Sequence, residues 1–400
     1  MPWGGCTPRQ YRNVVLTLLN QGKPSVFVLD GGEPDPVYYR TQVATPMAKH
    51  YESVCSALGE AFMDPPMVQA VIAMYNDYAD QGTDVLQLTI EACRQTDTRI
   101  IVGYRMNSED YYHMELQYDD FARAHRHLAI PGANCLDPTN VEVYMHRLDI
   151  FREVAENYDI DGLELNWRRW WHMISNPLHN YPVLTRMIAD VRRILDDAAA
   201  KKGRGRMILG VRVSPHLDGP FDPKDYPGCH SGSRENPSCR ELGLDVKTWI
   251  ESGHLDYVTP AFFNSLLPGI PRVRKFAELA SGNDVGIYPT LAFAPRWLHP
   301  AGERMGVKRE GPIEPTDTER MLRHKDELCQ AALQLYEQGA DGIATFNWWP
   351  HHQPGIVSDP DRLGSYLGYG AKQVMMKVCS VIGDRAALQA YADSRDFLQP

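Results

Sequence analysis

The sequence predicts an α/β fold of the (β/α)8-barrel (TIM-barrel) class with long loops after its strands. Three observations predict it. Short apolar, β-branched runs alternate with amphipathic helical stretches along nearly the whole chain. No Gly-x-Gly-x-x-Gly follows the first apolar run, so the fingerprint of a dinucleotide-binding sheet is missing. The length, 400 residues, suits one large barrel. The barrel is assigned to residues 1–370, and residues 371–400 to a C-terminal helix and tail.

The elements follow in order. Ser25 to Asp30, closed by Gly31 and Gly32, reads as the first strand. The region 47–56 reads as a weaker second strand. Between Asp84 and Gln95 the residues Leu86, Ile90 and Cys93 recur at helical spacing behind a cap at Thr83 or Asp84, which predicts a helix. Arg99 to Arg105 is the third strand. Tyr144, Leu148, Phe151, Ala155 and Tyr158 form one helical stripe. Gly162 to Trp167 is the fourth strand, followed by a helix over 182–200 with Leu184, Ile188, Val191 and Leu195 on one face. Met207–Ser214, Leu255–Phe262 and Val285–Leu291 are strands five to seven. A helix over 318–337 leads into the eighth, Gly342–Asn347. The long segments follow strands one, three, five, seven and eight, and in a barrel the loops after strands build the catalytic face.

Composition narrows the function. Hydrophobic residues make up 43% and charged residues 23%, enough for a large core. A net charge of −10 leaves no basic excess to neutralise phosphates, so a nucleic-acid partner is excluded. No apolar run of about 18 residues is present, so no membrane span is expected. The start shows no charged stretch followed by an apolar one, so the default compartment is cytoplasmic; a lost leader would make it secreted or periplasmic. The eight cysteines lack metal-ligand spacing, and neither metal nor cofactor is expected. Cys229 and Cys239 bracket a polar loop and are either a disulfide or two unrelated thiols. Nothing in the pattern sets an oligomeric state.

The sharpest chemical signal is the fourth strand. Alternation puts Gly162, Glu164 and Asn166 on one face and Leu163, Leu165 and Trp167 on the other. The apolar set faces the helices, so Glu164 points into the barrel. A carboxylate there is costly unless paired or used. Glu164 is therefore either the catalytic acid/base or a structural carboxylate bound to Arg105 or Arg212. Asp30, ending strand one, is the best-placed second carboxylate; Glu109, Asp110 and Asp218 are loop alternatives. Arg105, Arg168, Arg169 and Arg212 cluster at neighbouring strand ends. They either hold an anionic sugar, uronic or sulfated, or neutralise the acids around them. Asn107, His113, Asn166, Asn264, Tyr288, Asn347 and Trp348 complete the expected substrate contacts. His113, His125 and His127 lack metal-binding spacing. Trp170-Trp171 and Trp348-Trp349 each follow a strand, where a ring stacks on a sugar face or fills the core.

The run Asp161–Arg168 resembles the strand-four signature of family 18 chitinases, in which Asp-Gly is followed by two Asp and a catalytic Glu. Here Arg168 stands at the catalytic Glu position and Asn166 at the third acidic one, so that mechanism does not carry over. The chain is more similar to bacterial family-10-like glycosyl hydrolase proteins. Their third strand typically ends Arg-Met-Asn-Asp, and here it reads Arg105-Met106-Asn107-Ser108, followed by Asp110 and His113. Their fourth reads Tyr-Asp-Val-Asp-Gly-Ile-Glu-Leu-Asp-Phe before an Arg, and here Tyr158 to Trp167 precedes Arg168-Arg169. Val211-Arg212-Val213, Gly243 to Trp249 and Gly339 to Gly342 also match, so the likeness spans about 80–350. It implies a carbohydrate-active barrel. Glycoside hydrolysis uses two carboxylates, and the ends of strands seven (Tyr288 to Phe293) and eight (Asn347-Trp348-Trp349) carry no acid. The expected function is a glycoside hydrolase on a poly- or oligosaccharide with Glu164 as general acid/base. The alternatives are a polysaccharide lyase-type enzyme on uronates and a non-catalytic carbohydrate-binding barrel.

Overall fold

A computed structural model of the chain describes residues 5–33, 35–58, 65–107, 115–168, 171–218, 237–261, 266–267, 272–299, 302–303, 306–345 and 367–395. The elements run α1 (Pro8–Gly22), β1 (Val26–Gly32), β2 (Pro36–Val37), β3 (Thr45–Pro46), α2 (Met47–Leu58), α3 (Pro65–Asp80), α4 (Val85–Cys93) and β4 (Arg99–Arg105). Next come α5 (Glu115–Tyr118), α6 (Asp120–Ala124), α7 (Val141–Asn157), β5 (Gly162–Asn166), α8 (Pro177–Lys201), β6 (Ile208–Val213), α9 (Val246–Glu251), β7 (Tyr257–Pro260) and β8 (Leu266–Leu267). The rest are α10 (Val273–Ala280), β9 (Gly286–Ile287), β10 (Thr290–Leu291), β11 (Ala294–Pro295), α11 (Thr318–Glu337), β12 (Ala344–Thr345), α12 (Gly368–Val381) and α13 (Arg385–Asp393).

Eight strands form one sheet in the order β3-β2-β1-β4-β5-β6-β7-β9. The β1-β4-β5-β6-β7-β9 pairings are all parallel, with helices in the connections, and β10 pairs in parallel with β12. This is the α/β architecture of a (β/α)8 barrel. Among the described residues no pairing joins β12 back to β1. No described helix is long and apolar enough to cross a membrane.

Four expectations need correction. The region 47–56 is helix, not strand. Met47, Tyr51 and Val54 are buried at helical spacing and pack on Val68, Val71 and Ile72 in a satellite core. β1 then pairs directly with β4. The helix expected over 182–200 starts earlier, at Pro177, a position that suits a first helical residue, and runs through Pro182. Strand six is shorter than expected, Tyr257–Pro260; Phe262 lies outside the described residues. Strand seven is split into β9 and β10 by Pro289, which has no N–H for the ladder. The Pro289 carbonyl still accepts from the Ala344 N–H at 2.9 Å.

On β5 the burial follows the expected alternation. Leu163, Leu165 and Trp167 are fully buried in the main core. Removing each leucine from water stabilises by about 1.5–3 kcal/mol. The same outward set includes Ile100, Val102 and Tyr104 of β4 and Leu209, Val211 and Val213 of β6. What remains on these strands faces the barrel axis.

Candidate active site

The registers place the inward residues in rows. Asp30 pairs with Gly103, Gly103 with Glu164, Glu164 with Gly210 and Gly210 with Tyr257. One row nearer the carboxyl ends of the strands stand Arg105, Asn166, Arg212 and Thr259. Acids and glycines thus lie below a row of guanidinium and amide groups.

Glu164 is 2% exposed. Arg212 Nε donates to its Oε1 at 3.0 Å, and the Tyr257 hydroxyl donates to its Oε2 at 3.0 Å. The tyrosine reaches across β6 because Gly210 lies between. A Cβ on Gly210 would sit 1.9 Å from Tyr257 Cζ. Burial first, and then the Glu164 charge and hydrogen bond, push the Tyr257 phenol well above its ordinary value, so it stays a donor. The sequence reading missed Tyr257. Its signal was the first residue of the sixth strand, inward by alternation.

A second acidic pair closes β1. Arg105 approaches Glu33 at 2.8 Å and Asp30 at 3.7 Å. In a regular strand residues three apart face opposite sides. The register shifts between Asp30 and Gly32, and this irregularity brings Asp30 and Glu33 to one guanidinium. Glu33 is fully buried, whereas the Asp30 side chain is 44% exposed. Glu33 was also missed. The glycine pair before it was the visible clue to a break in alternation.

The remaining expected site residues fall into three groups. Asn166 and Asn107 shape the rim. Asn166 Oδ1 accepts from the Arg168 backbone N–H at 3.0 Å, and Asn107 Nδ2 donates to the His172 carbonyl at 2.9 Å. The buried Arg168 guanidinium lies 5.1 Å from the centre of the Trp171 ring. Tyr288 sits apart from this rim. Cβ atoms on Gly286 and Gly342 would meet its ring at 2.6 Å and 2.9 Å, and the charges beside it are Asp341 and Arg99, at the amino ends of the strands. His113, Arg169, Asn264, Asn347 and Trp348 lie outside the described residues, as do Glu109, Asp110, Trp170 and Trp349. Cys239 is buried, its thiol donating to the Ser214 carbonyl at 3.5 Å; Cys229 lies outside the described residues.

The arrangement brings together two carboxylates that flank a residue without a side chain. Asp30 and Glu164 stand in one row with Gly103 between them. Two strand spacings put their Cα atoms about 10 Å apart. Arg105 and Arg212 are both engaged with these acids.

No protein-family profile and no curated protein sequence matches the chain. Solved structures are similar to it at low identity. An α-L-fucosidase isoenzyme 2 from Paenibacillus thiaminolyticus is 13% identical with a TM-score of 0.41, over 95% of this chain and 46% of its own. A GH113 β-1,4-mannanase is 11% identical with a TM-score of 0.44, over 95% and 93%. A class V chitinase from Pseudomonas fluorescens Pf-5 is 10% identical with a TM-score of 0.38, over 88% and 96%. The chain spans less than half the length of the fucosidase. These likenesses carry no argument about activity, which rests on the geometry of the site itself.

Proposed function

We propose that the chain is a glycoside hydrolase whose carboxylate pair is Asp30 and Glu164. One observation carries the reading: the two acids lie in one inward row, separated by the bare backbone of Gly103. Glycoside hydrolysis needs two carboxyl groups about 5–9.5 Å apart, with room between them for the sugar carbon and, in inverting enzymes, a water. Side chains reaching inward from Cα atoms about 10 Å apart meet that requirement. Glu164, gripped by Arg212, is the anionic member that acts as base or nucleophile. Asp30, facing Arg105 at 3.7 Å and partly open to solvent, is the second carboxylate of the pair.

The substrate is a poly- or oligosaccharide. The anionic-sugar reading draws less support from Arg105 and Arg212 than from the sequence alone, because both face internal carboxylates. The test is a panel of neutral and acidic glycans assayed with Glu164→Gln and Asp30→Asn. Each substitution is expected to lower turnover by about 10²–10⁴-fold with the fold intact by circular dichroism. Full activity in either variant removes that residue from the pair. An unsaturated uronate product would instead indicate lyase chemistry.

A second reading has its own observation. Both Glu164 oxygens are occupied and the group is closed off from solvent. That suits a barrel that binds carbohydrate without cleaving it. Glycan binding that persists in Glu164→Gln, with no turnover in the parent chain, would establish it.

A further inference from the structure

One guanidinium at the barrel mouth faces two acids. Arg105 Nη1 lies 2.8 Å from Glu33 Oε1, and Arg105 Nη2 lies 3.7 Å from Asp30 Oδ2. The nearer acid is fully buried, whereas the farther one is open to solvent on one side. Glu164 is served differently, by Arg212 Nε at 3.0 Å. A buried carboxylate is costly unless paired or used. Glu33 is paired with Arg105, and the use follows from what that pairing does to Asp30.

The backbone fixes Glu33 where it stands. Its N–H donates to the Pro36 carbonyl at 2.9 Å, and its carbonyl accepts from the Asp35 N–H at 2.6 Å. The two glycines before it let the chain pass close to its neighbours. A Cβ on Gly31 would stand 2.2 Å from Val102 Cγ1, and one on Gly32 would stand 2.7 Å from the Pro36 carbonyl oxygen. The satellite core closes over this turn with Tyr38 and Tyr51, both buried. Burial above all, and the charges of Glu33 and Asp30 after it, push these two phenols up, so both stay neutral.

Hydrolysis needs one acid of the pair to carry a proton to the departing oxygen. A carboxyl with a guanidinium to itself gives up its proton about 1–3 pH units early. Among the described residues, Asp30 is faced by Arg105 of β4, by Glu33 in the turn after β1, and by the neutral phenols of Tyr38, of Tyr51 on α2 and of Tyr104 on β4. Glu33 is the closer partner of Arg105, so the two opposite charges act on Asp30 together and largely cancel.

We propose that Glu33 is a positioning residue of the carboxylate pair: it engages Arg105, so that Asp30 keeps the proton affinity of an ordinary carboxyl and can serve as the acid. The proposal rests on the reading of Asp30 and Glu164 as that pair, and its first test needs no substrate. Asp30→Cys places a titratable thiol at the same position of the full chain. Its alkylation by iodoacetamide is followed against pH and read at position 30 by peptide mass spectrometry. The midpoint is expected near the ordinary thiol value of about 8.5. Adding Glu33→Gln leaves Arg105 unopposed and should lower the midpoint by about 1–3 pH units. Adding Arg105→Gln as well replaces the ion pair by two amides and should restore the midpoint to within about half a unit. The proposal is overturned if Glu33→Gln, with the fold intact by circular dichroism, leaves the midpoint unmoved. It is equally overturned if the two amides together raise the midpoint by about a unit or more, because Arg105 would then act on position 30 unopposed in the parent. That comparison holds even where Glu33→Gln alone does not fold. On a glycan that the parent hydrolyses, Glu33→Gln should move the alkaline limb of kcat down by the same about 1–3 units, with little change in KM. A chain that hydrolyses glycans without these shifts loses only the role of Glu33, and one that shows the thiol shifts but hydrolyses nothing loses the hydrolase reading.

Discussion

At the residue scale the site depends on what is left out as much as on what is present. Glu164 reaches Tyr257 only because Gly210 has no side chain, and a Cβ there would overlap the tyrosine ring at 1.9 Å. Gly210→Ala is expected to push the ring off Glu164 and to cost about 1–3 kcal/mol by overpacking. In a Tyr257→Ala background the added methyl meets no ring, so the same substitution should cost much less. Urea denaturation of the four chains in this cycle measures the coupling. Simple additivity would show that the clash is relieved elsewhere. Tyr257→Phe removes the donor to Glu164 Oε2 and should destabilise by about 1–3 kcal/mol, since it leaves a buried carboxylate oxygen without its partner. An unchanged urea midpoint would argue against that bond. Glu164 was legible in the sequence because alternation alone turned it inward. Its partner Tyr257 was not, because a contact across an intervening strand depends on register and on the missing Cβ of Gly210, and neither appears as a motif.

At the element scale the amphipathic helices were read most reliably. The predicted 318–337 helix is α11, and the stripe from Tyr144 to Ala155 lies on α7. The error at 47–56 has a physical cause. A window holding one helical turn of apolar residues reads much like a short strand, and the choice was settled by tertiary packing on Val68, Val71 and Ile72. A different tertiary device fixes the end of the chain. Lys325 of α11 is buried, and its ammonium donates to the Tyr391 and Ala392 carbonyls at 3.1 Å and 2.9 Å and also to that of Ser394. These carbonyls sit at the end of α13, where the intrahelical ladder runs out, and that of Tyr391 also accepts from the Ser394 N–H at 3.3 Å. Lys325→Met should therefore free α13 first, at a cost of about 1–3 kcal/mol. Hydrogen exchange resolved by segment checks this: amides over 385–394 should exchange faster, while those of β4 and β5 change only as global stability changes. Equal acceleration everywhere would mean that Lys325 supports the whole wall and not this helix in particular.

At the scale of the whole molecule, the order of alternating strands and helices was enough to set the architecture, whereas the placement of the acids needed the register. One group in the barrel wall makes the stability of the whole chain sensitive to acid. His324 of α11 is fully buried and bonds the Phe293 carbonyl at 2.9 Å, tying the helix to the segment after β10. Burial outweighs that bond and lowers its pKa from 6.5 to about 4. In the unfolded chain the imidazole takes up a proton near pH 6.5, while in the folded chain it stays neutral until about pH 4. The unfolded state therefore binds more protons across this window, and stability falls as the pH falls through it. Above pH 6.5 the group has no effect, and the full loss by pH 4 is about 3 kcal/mol. His254, lowered by burial and by Arg192 and Arg206, acts in the same direction, whereas Asp161, held below 3.8, begins to matter only in stronger acid. The urea midpoint of the parent chain should thus drop between pH 7 and pH 4.5. His324→Gln keeps an N–H for the Phe293 carbonyl without a titrating group, so its midpoint should change much less, leaving the smaller slope due to His254. An equally steep decline in the variant would place the acid sensitivity in other groups.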